Sequence, residues 1–141
     1  MIDATSRVLV ASGSLAEARL IQVGHHVLCH RRGKYSTGAT EVTGVEQTMV
    51  GKVYELTLAN GNKLRCSGDT EVLIRTMHGK RYIPATKLYP GQSVYSKGVD
   101  VEGVSALVGF EETDVAARVA MVAIKTFSND GIIAEGMVIR G

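Results

Sequence analysis

Cys66-Ser67-Gly68-Asp69-Thr70 gathers a thiol, two hydroxyls and a carboxylate within five residues. These are the side-chain types from which a nucleophile, a base and an orienting acid are assembled. A working set needs an imidazole beside the nucleophile, and the chain offers His25, His26, His30 and His78 for that place. The plainer reading makes Cys66 a small buried residue closing a strand, with Ser67 and Asp69 as turn residues that bond nearby backbone. His26 and His30 share one face of a strand but lie roughly 13 Å apart along it, too far to hold one ion. Cys29 and Cys66 fall in no ligand spacing, so the sequence points to no metal and no cofactor, and the histidines read as surface residues.

A second candidate is the run His30-Arg31-Arg32-Gly33-Lys34-Tyr35. Arg31, Arg32 and Lys34 with the aromatic Tyr35 are what a binding loop offers to an anionic or polar partner. Sixteen Lys+Arg stand against fourteen Asp+Glu, a net charge of +2. That balance argues against nucleic acid as the main partner, and no apolar stretch approaches the 18 residues that would suggest a membrane helix. Two cysteines make no disulfide framework, and no charged-then-apolar leader follows Met1, so a reducing intracellular compartment or a virion is expected.

The elements that would position these residues are short. Val8–Val10, Val27-Leu28, Val53–Leu58, Val72–Ile74, Val94-Tyr95, Ala120–Ile124 and Ile132–Ile139 are apolar or β-branched runs. Bounded as they are by Gly, Asn, Asp and Ser, they predict one all-β domain over residues 1–141. Val53–Leu58 alternates, with Tyr54, Leu56 and Leu58 on one face. Ala59-Asn60-Gly61-Asn62 then supplies a tight turn that returns Lys63–Cys66 antiparallel beside it. Leu15–Val23 and Glu111–Val119 are the candidates for helical turns. The unit Val8–Val10, Gly13, Ala18–Leu20, Gly24, Val27 is echoed by Val72–Ile74, Gly79, Ala85–Leu88, Gly91, Val94 at offsets of 64 (8 to 72), 66 (13 to 79) and 67 (27 to 94). One supersecondary unit is used twice.

The hairpin Val53–Cys66, the following Ser67-Gly68-Asp69-Thr70, the closing Ile132–Gly141 and the duplication together resemble the Hint (hedgehog/intein) self-processing family. The resemblance implies a horseshoe of short antiparallel strands with an internal pseudo-twofold. It also assigns positions: Met1 stands at the family's Cys or Ser nucleophile, Ser67 at its Thr, Asp69 keeps an acid common there, Thr70 replaces its His, and Arg140-Gly141 replace its final His-Asn. A thioether has no proton to lose, a threonine hydroxyl does not exchange protons near neutral pH, and glycine has no side chain to cyclise.

The expected function is therefore a non-catalytic Hint-fold binding or structural module with a protein or homo-oligomeric partner, as in a subunit of a virus or phage particle, that analogy resting on fold alone. Its Gly-rich stretches Arg31–Gly44 and Lys97–Thr113 are read as contact loops. A splicing or autocleaving domain with displaced residues is the enzymatic alternative, and a small nucleic-acid-binding barrel the third.

Overall fold

Val53–Leu58 is the inner end of a strand four times as long as that alternating pattern suggests. The computed structural model describes residues 1–30, 37–97, 102–128 and 130–141. Among them twelve strands follow in order: β1 Ile2–Asp3, β2 Arg7–Leu9, β3 Leu15–Glu17, β4 His26–His30, β5 Thr37–Leu58, β6 Lys63–Cys66, β7 Glu71–Thr76, β8 Gly79–Pro84, β9 Ser93–Lys97, β10 Glu102–Thr126, β11 Gly131–Ala134 and β12 Met137–Arg140. Single 3₁₀ turns, Ala18–Leu20 and Ala85–Lys87, precede β4 and β9. All pairs are antiparallel, in the order β3-β2-β11-β4-β5-β6-β1-β10-β9-β12-β7-β8. Further pairings β11–β12, β5–β10 and β9–β7 fold the sheet back on itself.

The duplication is present in the backbone. Strand, strand, 3₁₀ turn, strand and long strand occur twice, their first residues separated by 64 (7 to 71), 64 (15 to 79), 67 (18 to 85), 67 (26 to 93) and 65 (37 to 102). Individual hydrogen bonds repeat as well: Ala18 N donates to Ser6 O at 2.7 Å and Ala85 N to Thr70 O at 2.8 Å. The turn glycines Gly24 (φ 93°) and Gly91 (φ 98°) adopt the same left-handed conformation, which a side chain at either position would strain.

Burial follows the predicted alternation, with Leu56, Leu58 and Leu64 almost wholly inside. Each such side chain contributes about 1.5–3 kcal/mol by leaving water. They join Val8, Val27, Val72 and Val94 in one continuous core. Leu9 and its counterpart Leu73 form a smaller cluster with Ile133 and Val138.

Several expectations need correction. Ile132–Ile139 is not one strand: Glu135 (φ 49°) and Gly136 (φ 76°) turn it into the β11–β12 hairpin. Glu111–Val119 is extended within β10, whose cross-strand partners on β5 outweigh its weak helical pattern. The presumed contact loops largely vanish into the same two strands, since residues 37–44 belong to β5 and 102–113 to β10. Lys97 ends β9; the remainder, 31–36 and 98–101, lies outside the described residues, and with it the whole binding set Arg31, Arg32, Lys34 and Tyr35.

Candidate functional site

The β5–β6 hairpin sets the register that delivers the polar turn. Leu56 pairs with Leu64 and Tyr54 with Cys66, so β6 ends with Cys66 buried and Ser67 at the strand's exit. The turn closes by Thr70 N donating to Ser67 O at 3.2 Å. Gly68 fits beneath Tyr54 and Thr86, where a Cβ would stand 2.7 Å from Thr86 Cγ2 and 2.9 Å from Tyr54 Cε2.

Residue 1 docks on this turn through both its backbone atoms. The Met1 nitrogen donates to Ser67 Oγ at 2.9 Å, Thr70 Oγ1 at 2.9 Å and Gly141 O at 2.8 Å. The Met1 carbonyl accepts from Thr70 Oγ1 at 2.7 Å and from Ser67 N at 2.9 Å. Ser67 Oγ lies 2.5 Å from Asp69 Oδ1. A hydroxyl has one proton, so Ser67 gives its proton to Asp69 and receives that of Met1, while Thr70 gives to the Met1 carbonyl and receives from its nitrogen.

The electrostatics follow from these contacts. The Ser67 hydroxyl holds the Asp69 carboxyl below its ordinary range, with burial opposing. Burial pushes the Met1 ammonium down, while the charge of Asp69 acts the other way. Burial also pushes the Cys66 thiol up to about 12, against the pull of the ammonium and of the Thr70 hydroxyl. A thiol so placed is protonated at neutral pH and is no nucleophile.

The last residues arrive on β12, which pairs Ile139 with Val72 and Arg140 with Glu71. The Arg140 guanidinium reaches both Glu71 carboxylate oxygens at 3.3 and 3.4 Å and lies 4.2 Å from the Tyr82 ring centre. Met1, Asp69, Arg140 and Gly141 line a cleft of about 790 Å³ together with Glu46 and Lys125.

All six sequence-selected family positions, Met1, Ser67, Asp69, Thr70, Arg140 and Gly141, thus meet in one place. The histidines do not join them. His25 Nδ1 accepts the Gln22 N–H at 3.1 Å, His26 is exposed opposite Glu41 on β5, and His78 lies in the β7–β8 turn. His30 corrects the expectation of surface histidines: it is buried, with Nε2 2.9 Å from Lys80 Nζ and its ring 6.1 Å from that of Tyr95. Among the described residues no group of three or more His, Cys, Asp and Glu is placed to hold a metal, and no helix is long and apolar enough to cross a membrane. Sequence reasoning missed Glu71 and Tyr82, whose part is set by the pairing of β12 with β7 and of β7 with β8. What the arrangement does chemically is grip one backbone nitrogen and one carbonyl and align them with residue 141.

No family model and no curated protein matches the sequence. Solved structures do match. A bacterial intein-like domain from Clostridium thermocellum superposes with a TM-score of 0.82 at 15% identity, covering 99% of this chain and 96% of that one. The gp41-1 intein gives 0.75 at 24% identity over 99% and 97%, and a DnaB intein from Synechocystis sp. gives 0.79 at 16% over 99% and 96%. The sheet order, the twice-used unit and these superpositions agree that the chain has the Hint fold of the inteins.

Proposed function

We propose that residues 1–141 act as one Hint-fold module that clasps residues 1 and 141 together and offers the surrounding cleft to a protein partner, without cutting its own backbone. The observation that carries this reading is the grip of Ser67 and Thr70 on residue 1, whose carbonyl accepts from Thr70 Oγ1 at 2.7 Å and from Ser67 N at 2.9 Å. The reading is supported by the chemistry at hand. Residue 1 brings a thioether, Thr70 a hydroxyl where proton transfer needs an imidazole, and residue 141 no side chain. A place in a larger assembly, such as a virus or phage particle, suits a rigid module of this kind.

A second reading, a splicing or autocleaving domain, is favoured by one feature: residues 1 and 141 lie at hydrogen-bonding distance, as a reaction joining flanking segments requires. Fusing foreign segments to both ends and following intact mass over days, with and without added thiol, separates the two. The clasp predicts an unchanged mass. Loss of either segment, or their joining, establishes the second reading.

A further inference from the structure

Open stretches of strand edge differ in what guards them. β8, the last strand of the order, carries Lys80, Arg81 and Pro84, the charges and proline that blunt an edge against chance pairing. On β5, residues 43–53 have β10 as their sole described partner, because pairing with β4 ends at Glu41 and pairing with β6 begins at Tyr54. Residues 43–53 contain two charges, Glu46 and Lys52, and no proline, and their register with β10 shifts between Val50 and Lys52. Thr43 and Val45 through Met49 are all exposed, Val45 at 36% and Met49 at 48%. An extended edge with few charges and no proline is a template for another strand.

We propose that this edge pairs antiparallel with the same edge of a second copy, about a twofold axis at Met49. Antiparallel self-pairing is isologous, so each contact occurs twice. Centred on Met49, it sets Glu46 opposite Lys52 of the second copy, Gln47 opposite Gly51 and Thr48 opposite Val50. Shifting the centre to a neighbouring residue breaks the Glu46–Lys52 match, so the two charges select one register. Glu46 makes no ion pair among the described residues. Lys52 bonds Glu112 at 2.8 Å with about half its side chain still exposed, which leaves it open to a second carboxylate. Glu46 and Thr48 also line the cleft, so the pairing places two clefts along one continuous ribbon.

Sedimentation equilibrium or light scattering across a concentration series tests this. The unaltered chain should pass from one to two chain masses as concentration rises. Val45→Lys with Met49→Lys should hold it at one mass with its melting temperature kept. Glu46→Lys and Lys52→Glu should each weaken dimerisation about tenfold, and the two together should restore it, a recovery that general destabilisation cannot give. A chain that stays monomeric to about 1 mM, where association is worth no more than about 4 kcal/mol, overturns the proposal. So does a dimer indifferent to the two lysines, or one that the double charge exchange fails to restore.

Discussion

Asp3-Ala4-Thr5-Ser6 and Ser67-Gly68-Asp69-Thr70 are one turn built twice with different contents. Ser6 N donates to Asp3 O at 2.9 Å as Thr70 N does to Ser67 O at 3.2 Å, and Arg19 N donates to Ala4 O at 2.9 Å as Thr86 N does to Gly68 O at 3.2 Å. Both contain a hydroxyl bonded to a carboxylate, but in opposite order. In the first turn the exposed Thr5 hydroxyl donates to the buried Asp3 at 2.7 Å, and Asp3 also accepts the Thr5 N–H and faces Arg65 at 3.4 Å. In the second the carboxylate is outside, and the buried hydroxyls of Ser67 and Thr70 turn to Met1. A shared backbone frame therefore does not decide the role. Which residue occupies the first and last positions of the turn makes one copy self-satisfied and the other a receptor.

The largest expected difference between the turns lies at their last position. Thr70→Val leaves both Met1 backbone atoms short of a partner and should lower unfolding free energy by about 2–3 kcal/mol, whereas Ser6→Ala, its counterpart, should cost less than about 1 kcal/mol. Urea denaturation of both variants gives the comparison, and equal losses would erase the asymmetry. At the second position Gly68→Ala drives a Cβ into Thr86 and Tyr54 and should cost about 1–3 kcal/mol, although the other turn carries Ala4 there without crowding. Melting curves of Gly68→Ala beside Ala4→Gly would expose any error in that reading.

Smaller effects follow from charge. Because the folded state holds the Asp69 carboxyl low, its contribution is present above the ordinary aspartate range and is lost as pH falls through the lowered value. Asp69→Asn should flatten that acid limb of the stability profile, and a profile that keeps its slope would remove Asp69 from the network. Least visible is Cys66. With its thiol pushed up to about 12 and both cysteines buried, the native chain should resist alkylation at pH 8 and label twice only when unfolded. Rapid native labelling at Cys66 would return it to the list of candidate nucleophiles.

What could be read along the chain was whatever neighbouring residues settle among themselves. Asn60-Gly61 between alternating runs fixes a hairpin because few residues tolerate its backbone angles, and Gly13, Gly24, Gly79 and Gly91 mark the duplication for the same reason. The sequence singled out Met1, Ser67, Asp69, Thr70, Arg140 and Gly141 by their spacing to those turns, and the fold brings them together. The lengths of β5 and β10 were not, since residues 37–52 carry no strong pattern and are held extended by β4 and β10. Nor was the burial of His30, which Lys80 and Tyr95 provide from fifty and sixty-five residues away.

The sequence by itself determined the β class and the repeat, because side-chain composition and turn geometry are local properties. Tertiary structure alone decided that Ser67, Thr70 and Gly141 close on Met1 and that Arg140 is engaged by Glu71 and Tyr82. Those contacts span up to 140 positions, and only the pairing of β1 with β6 and of β12 with β7 brings them within reach of a hydrogen bond.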